Sequence, residues 1–299
     1  MAGTTSATLD DLFVNIVAQA RFTAEEDSLM MGLIRNYNIA GTAGKTIQVP
    51  KYPPVTASAL TEGTALTEDD VSTSSVAITV AEVGAGCLLT DLASMGAGNP
   101  AQELGTVLGN AIATKIDQDI IAKFQSFTAT KGSANSALTV DVLFKAAALL
   151  KANNAKGQLV GVFHPQVAYD LKAALTNTFG HGTQSINYGE DSAQNVGFGA
   201  MGGDAYNQAM VNGFVGRVAG IDIYESANVP VNVGSGSNDS SGAIFTSDSL
   251  AIAMKSEFNL ETQRNALRRG TEIVATAIYG CDVLEQDFGV QIISDGQAN

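Results

Sequence analysis

Residues 99–127 constrain the fold of this chain more than any other part of its sequence. They read NPAQELGTVLGNAIATKIDQDIIAKFQSF, in which Asn99 suits a helix N-cap and Pro100 suits the first helical position. Apolar residues then recur at steps of three and four and form one stripe: Leu104, Val107, Leu108, Ala111, Ile112, Ile116, Ile120 and Phe124. At 1.5 Å per residue the pattern predicts a helix of roughly 40 Å, which would serve as the rod of a flat domain.

Two alternating segments before this helix predict a long β-hairpin. The first is GKTIQVPKYPP at 44–54 and the second is VSTSSVAITVAEVGAG at 71–86; the acidic segment 61–70 connects them. Each leg has only a moderately apolar face, so we expect an arm that lies over another surface, with an ordinary surface hairpin as the alternative. Residues 1–40 are expected to form a partly helical arm that packs on something else. Their apolar residues at helical spacing are Leu12, Phe13, Ile16 and Val17, followed by Leu29, Leu33 and Ile34.

The region 128–255 has the pattern of a separate α/β unit. A helix, VDVLFKAAALLKANNAKG, precedes the buried strand QLVGVF and a second helix, HPQVAYDLKAAL. A long glycine-rich stretch follows at 176–213, and then the strand-like GFVGRVAGIDIYESANVP. The remainder of the chain predicts strands. In TEIVATAIYGCDVL both alternating faces are apolar, which predicts a strand covered on both sides and packed against the long helix.

No motif in the sequence establishes catalytic chemistry. GFGAMG at 197–202 matches G-x-G-x-x-G and is followed by Asp222, but no apolar strand precedes it and no helix follows, so the dinucleotide context is absent. The two histidines, His164 and His181, belong to no recognisable catalytic or metal motif. Cys87 and Cys281 lie far apart in apolar runs, which favours buried reduced thiols. We expect no cofactor and no metal; an α/β enzyme that uses the glycine-rich loop remains an alternative.

The charge of the chain excludes another class of function. Its formal net charge is −14, with 16 Lys and Arg residues, so a surface that grips nucleic acid by its phosphates is not expected. Only 15% of the residues are charged, against about a quarter in a typical soluble domain, which favours a surface made partly for other protein. The N-terminus has no signal-peptide pattern, and no apolar run approaches the ~18 residues that cross a bilayer.

Several charged residues are candidates for pairing rather than catalysis. Glu68, Asp69 and Asp70 form an acidic group in the hairpin segment, which is typical of a solvated turn. Arg217 and Glu225 flank the alternation of 213–230 and are candidates for pairing within or between subunits. Arg268 and Arg269 could bind phosphate, but a salt bridge or subunit contact is favoured.

The order of these segments resembles the major capsid proteins of tailed bacteriophages with the HK97-type fold. Six segments carry the resemblance, which spans about residues 40–290. They are GKTIQVPKYPP, TEGTALTEDDVSTSSVAITVAEVGAGCLLTDLA, NPAQELGTVLGNAIATKIDQDIIAKF, LVGVFHPQVAYDLKAAL, GFVGRVAGIDIYESANVP and AIFTSDSLAIAMKSEFNLET. No single one is diagnostic, and the specificity lies in their order.

The resemblance implies an α+β fold and a division of the chain. Its parts would be an N-terminal arm (1–43), an extended β-hairpin loop (44–90), a peripheral domain with a long spine helix (91–127), an axial α/β domain (128–252) and a return to the peripheral domain (253–299).

It also implies a structural function without enzyme activity. Such proteins form hexamers and pentamers of an icosahedral shell that encloses packaged DNA without binding it specifically. Expected partners are further copies of the chain, a scaffolding protein, a portal protein and, in some phages, a decoration protein; the protein would assemble in the host bacterial cytoplasm and reside in the virion. An encapsulin-like compartment is the alternative within the fold. Many relatives carry a helical scaffolding segment before the arm, which this sequence lacks, so we expect a separate scaffolding protein and no large cleavage.

Overall fold

The computed structural model describes residues 28–53, 55, 57, 59, 62–63, 71–92, 100–180, 214–231 and 238–296. The helices are α1 (Pro100–Ala122), α2 (Val140–Ala152) and α3 (Pro165–Gly180), with short 3-10 helices at Met30–Gly32, Lys123–Ser126 and Gln286–Phe288. The strands are β1 (Arg35–Asn38), β2 (Thr46–Lys51), β3 (Ser74–Thr79), β4 (Ala81–Thr90), β5 (Ala129–Gly132), β6 (Leu159–Phe163), β7 (Phe214–Val218), β8 (Ile221–Glu225), β9 (Asp239–Thr246), β10 (Leu250–Asn265), β11 (Gly270–Val283) and β12 (Gly289–Asp295).

These strands form three sheets. A four-stranded sheet has the order β1-β10-β11-β4 and a six-stranded sheet the order β5-β12-β9-β6-β8-β7, while β2 and β3 pair as a separate hairpin. The long β10–β11 hairpin forms the centre of the first sheet, with β1 parallel to β10 and β4 antiparallel to β11. The described chain therefore has mixed helix and sheet content, as the α+β expectation requires.

The long helix joins the two larger sheets through one core. Ile120, Ile121 and Phe124 are buried in the same cluster as Val162 and Phe245 of the six-stranded sheet. That cluster also includes three side chains of the four-stranded sheet: Ile252, Ala277 and Tyr279. The rings of Phe124 and Phe245 lie 5.5 Å apart. On the opposite face of the six-stranded sheet, α2 and α3 cover a second cluster, so its central strands β6 and β9 are buried throughout.

The predicted long helix is present, although the α-helix ends at Ala122, and its buried face is rotated relative to the apolar stripe that the sequence indicated. Val107 is 62% exposed and Ala111 also faces outward. An α-helix has 3.6 residues per turn, so residues four apart do not lie directly above one another. A row of contacts at that spacing therefore turns gradually around the helix. Its buried members are Leu108, Ile112, Ala113, Ile116, Asp117, Ile120 and Ile121.

Residues 28–43 pack on the rest of the described chain, since Met30 is buried in the main core and β1 pairs with β10. Two expectations about the remaining segments need correction. The second hairpin leg breaks at Val80: β3 pairs with β2, whereas β4 joins the four-stranded sheet. The last strand, β12, does not return to the sheet of the long helix but lies between β5 and β9.

The position of β12 has a physical reason. Its alternate residues Val290 and Ile292 are buried in the cluster that α2 and α3 cover, and its edge pairs with β9. Strand pairing is decided by which core accepts the apolar face, not by order along the chain.

Coverage of β11 also differs from the expectation. Ile273, Ala275 and Ala277 are buried under α1, whereas Val274 on the opposite face is 41% exposed. Ile278, further along that same face, packs against the cluster beneath the β2–β3 hairpin. The second face of the strand is thus covered only near its C-terminal end within one subunit.

Gly280 offers a test of this packing. A Cβ atom added there would lie 2.2 Å from the carbonyl oxygen of Thr79 and 2.8 Å from its carbon, where the chain crosses from β3 to β4. Backbone atoms cannot move aside cheaply, so we expect Gly280→Ala to lower the free energy of unfolding by about 1–3 kcal/mol. Urea denaturation of unassembled subunits measures the change. In the matched control Gly32→Ala the added Cβ meets nothing within 4 Å, and a change in stability similar to that of Gly280→Ala would contradict the argument.

Candidate subunit-contact surfaces

The tip of the β10–β11 hairpin carries the most exposed apolar side chain of the described residues. Leu267 is 98% exposed, and Leu92, just beyond the end of β4, is 83% exposed. The amide of Asp91 donates to the carbonyl of Arg269 at 3.0 Å, so these two turns are joined. Two leucines therefore project from one end of the four-stranded sheet, where they lie in water in the isolated subunit.

Ion pairs within the chain hold this tip in shape. The guanidinium of Arg264 donates to both carboxylate oxygens of Asp91, at 2.5 and 2.8 Å. Arg268 pairs with Glu272 at 3.3 Å. The hydrogen bond from Arg264 lowers the pKa of the Asp91 carboxyl, and Arg269 adds to that effect. Exposed ion pairs contribute little stability, but a bidentate pair fixes geometry, so the tip presents its leucines on a defined support.

The β2–β3 hairpin rests on the body of the subunit through its base. Ile47 and Val49 pack with Ile278 and Leu284 around a cluster that includes Ile78, which is buried. Lys51 pairs with Glu285 at 2.5 Å, and the amide of Val80 donates to Lys45 at 2.8 Å. A cavity of about 160 Å³ separates hairpin and body beside this ion pair. The described part of the hairpin therefore lies on the body from Ile47 to Lys51.

The predicted pair candidates Arg217 and Glu225 lie on adjacent strands but bind different partners. Arg217 Nε lies 3.3 Å from Asp222 Oδ1, its directly opposite residue across the β7–β8 hairpin. Glu225 pairs with Lys172 of α3 at 3.1 Å. Asp222 also accepts a hydrogen bond from Gln158. Of the two predicted possibilities, pairing within a subunit or between subunits, the structure shows a partner within the chain for both residues.

Other predicted sites lie outside the described residues. These are the acidic group Glu68, Asp69 and Asp70, the glycine-rich loop 197–203 and His181. Arg268 and Arg269 lie at the hairpin tip, where Arg269 has a left-handed φ of 45°. The structure therefore brings two of the seven contact candidates together at one surface.

A buried carboxylate that the sequence analysis overlooked anchors the N-terminal segment. Asp117, on α1, is 1% exposed. Its Oδ1 accepts from the Ser28 hydroxyl at 2.7 Å and from the Met30 amide at 3.2 Å, and its Oδ2 accepts from the Leu29 amide at 3.3 Å. Asn228, in the turn after β8, also donates to it. One side chain therefore connects two other parts of the chain, residues 28–30 and the turn after β8, to the long helix.

A sequence signal for this anchor did exist. Asp117 is four residues from both Ala113 and Ile121, so it falls within the buried stripe of the helix. A carboxylate at such a position must find hydrogen-bond donors, because an unpaired buried charge is costly. The signal identifies the need for partners, but not which segment supplies them.

The thiols and the described histidine show no sign of reactivity. Burial raises the pKa of the Cys281 thiol to about 11, and its Sγ donates to the Asp119 carbonyl at 3.4 Å. Burial also raises the pKa of Cys87 and lowers that of His164. Among the described residues no three His, Cys, Asp or Glu side chains group as metal ligands. Within the same part of the chain, no helix is long and apolar enough to cross a membrane.

Solved structures with the same arrangement of elements are capsid proteins. The capsid of cyanophage Pam1 matches with a TM-score of 0.63 and 15% identity, over 95% of this chain and 94% of that one. A structure from Mycobacterium phage Che8 matches with a TM-score of 0.58 and 20% identity, over 83% and 84%. The chain has the HK97-type capsid fold.

The same capsid fold also occurs in a virus-like particle from Pyrococcus furiosus. That structure matches with a TM-score of 0.59 and 11% identity, over 94% of this chain and 98% of that one. No protein-family model matches the sequence, and neither does any curated protein. The likeness to this capsid fold is therefore one of backbone architecture.

The Asp117 anchor of this capsid fold can be tested by substitution. Asp117→Ala leaves the Ser28 hydroxyl and the amides of Leu29 and Met30 without their acceptor, so we expect a loss of about 2–4 kcal/mol in the free energy of unfolding. Burial raises the pKa of the Asp117 carboxyl above its usual 3.8, despite the opposing effect of its donors. The folded state therefore binds the proton more tightly than the unfolded state, and wild-type stability falls as pH rises through the raised pKa.

It follows that the loss caused by Asp117→Ala should be largest below pH 3.8 and smaller at neutral pH. Urea midpoints measured across that range check both the size and the slope. Asp141→Ala serves as the control, because Asp141 is exposed and pairs only with Lys145 four residues away. A loss that grows with pH, or that equals the loss in the control, would contradict the anchor.

Proposed function

We propose that this chain is a major capsid protein that assembles into the hexamers and pentamers of an icosahedral phage head. The observation that carries the proposal is the near-complete coverage of both chains in the match to the cyanophage Pam1 capsid. A match over 95% of this chain leaves little of it for a separate catalytic domain. Further matches are the mature capsid of bacteriophage PhiM1, the head of Helicobacter pylori bacteriophage KHP40 and the capsid of Ralstonia phage GP4.

The form of the isolated subunit supports assembly with further copies. The β10–β11 tip presents Leu267, and the adjoining turn Leu92, to solvent, where a neighbouring copy could bury them. Val274 and Leu88 lie half-exposed on the outer face of the four-stranded sheet. Apolar surface of this kind is stabilised by contact with another protein, since roughly 25 cal/mol is gained per Å² removed from water.

We place the subunit contacts at the hairpin tip first. Leu267 and Leu92 provide the apolar contact, with Arg268 and Arg269 at its edge. We propose five further residues as less important contacts: Glu68, Asp69, Asp70, Arg217 and Glu225. Arg217 and Glu225 already have partners within the chain, so a neighbour would have to compete for them.

Further partners follow from this function. We propose a scaffolding protein during assembly, a portal protein for DNA entry and a decoration protein on the outside of the shell as these partners. The packaged DNA would be enclosed without specific binding, since a net charge of −14 repels phosphates. Assembly would take place in the host bacterial cytoplasm, and the finished protein would reside in the virion.

An encapsulin-like compartment is a second candidate. The match to the Pyrococcus furiosus virus-like particle covers 98% of that chain, which is as complete as the phage matches. Purified particles distinguish the two functions by their content, which is nucleic acid in a phage head and protein cargo in a compartment.

Electron microscopy of the expressed protein tests the proposal directly. Shells, capsomers or sheets are expected, either from the chain alone or after co-expression with a scaffolding protein from the same genome. A subunit that stays monomeric or dimeric under both conditions would overturn the assignment.

The hairpin tip provides a more specific test. We expect Leu267→Asp to leave the thermal midpoint of the unassembled subunit unchanged, because the side chain is exposed, and to reduce the yield of particles at least tenfold in sedimentation. Placing a carboxylate in an apolar contact costs more than the ~1.4 kcal/mol that corresponds to tenfold. Leu267→Met keeps the contact apolar and should assemble normally. Normal yield from Leu267→Asp would show that the tip is not a subunit contact.

A further inference from the structure

A groove lies between the outer side of α1 and the turn that follows β8. It has a volume of about 520 Å³ and is open to solvent. One wall is the end of the helix, with Gln118, Ala122 and Gln125, and the other is the turn of residues 227–231. The groove therefore lies between the long helix and a connection that follows β8 of the six-stranded sheet.

The lining of the groove indicates the kind of ligand that it suits. Ala122, Ala227, Val229, Pro230 and Val231 provide an apolar surface, and the polar lining consists of side-chain amides. None of the lining residues is charged, although the chain as a whole has a net charge of −14. Amides both donate and accept hydrogen bonds, so they suit the polar side chains that border the apolar face of a helix. The chemistry is that of a site for a short apolar peptide segment.

The start of the described chain lies beside this groove. Ser28 donates to Asp117, which immediately precedes the lining residue Gln118. Asn228 both donates to Asp117 and lines the groove. The 27 residues before Ser28 are thus tethered within a few residues of the opening.

Those residues contain an apolar set of the required kind. Leu12, Phe13, Ile16 and Val17 recur at helical spacing, so one face of the segment 12–17 is apolar. Residues 18–27 connect it to Ser28 and reach about 35 Å when extended, at ~3.5 Å per residue. From position 118 to position 125 the groove extends only about 12 Å along α1 and the 3-10 helix after it, at ~1.5 Å per residue in the first and ~2 Å in the second. The connection is therefore long enough to place the segment anywhere in it.

We propose that in the unassembled subunit this groove binds residues 12–17 of the same chain. A tether of ten residues raises the local concentration of the segment to the millimolar range, so a modest affinity suffices for occupancy. The bound segment touches both the long helix and the turn after β8, and so braces the two sheets against each other. The proposal is independent of the capsid function, because it concerns the single subunit.

A tryptophan reporter tests the docking in the full-length chain. The protein has no tryptophan, so Phe13→Trp introduces a single fluorophore in the proposed segment. We expect its emission maximum in unassembled subunits to lie at shorter wavelength than that of the urea-unfolded chain, with weak quenching by acrylamide. Adding Ala122→Arg fills the groove with a charged side chain and should shift the emission to longer wavelength.

The matched control is Thr114→Arg, which lies on the same helix, is exposed and does not line the groove. It should leave the emission unchanged, and the same thermal midpoint for both arginine variants shows that the fold is retained. An exposed tryptophan in the parent, or equal shifts from both variants, would overturn the proposal.

The dependence of the emission maximum on protein concentration distinguishes docking within one chain from docking in the groove of another copy. Intrachain docking gives an emission maximum that does not depend on protein concentration. A shift that appears only at high concentration would mean that the groove binds a second copy, which contradicts docking within the chain. Particle formation is read separately by microscopy, so failure of the capsid assignment leaves this result interpretable.

Discussion

The structure depends on the burial of one face of α1 in a core shared by two sheets. Ile120, Ile121 and Phe124 contact side chains from the four-stranded and the six-stranded sheet in a single cluster. A fully buried side chain of this size contributes about 1.5–3 kcal/mol by leaving water. Among the described residues α1 is the only α-helix with side chains buried in that cluster.

This arrangement explains why one carboxylate is tolerated in the helix's buried stripe. Asp117 lies between Ala113 and Ile121, where a charge without partners would be unfavourable. Donors from residues 28–30 and from Asn228 compensate for the lost hydration. The same hydrogen bonds hold residues 28–30 on the long helix, so a local electrostatic need determines the position of this segment.

Local patterns predicted the elements well, and long-range placement less well. The helix of residues 99–127 and the hairpin legs around 46–51 and 74–79 were recognisable because their apolar periods of 3.6 and 2 are local properties. The break at Val80 was not, since β3 and β4 form one alternating run whose two halves pair with different strands. The leucines of the hairpin tip were also missed, because exposure depends on what surrounds a residue in space.

By itself the sequence determined the α+β class, the rod-like helix, the order of elements that resembles HK97-type capsid proteins and the lack of a recognisable catalytic motif. Tertiary structure alone decided that β12 joins the six-stranded sheet, that Arg217 and Glu225 take separate partners, and that Asp117 anchors Ser28. The physical reason is the range of the interactions. Periodicity and capping act over a few residues, whereas strand pairing and the partners of a buried charge depend on segments that approach each other only when the chain has folded.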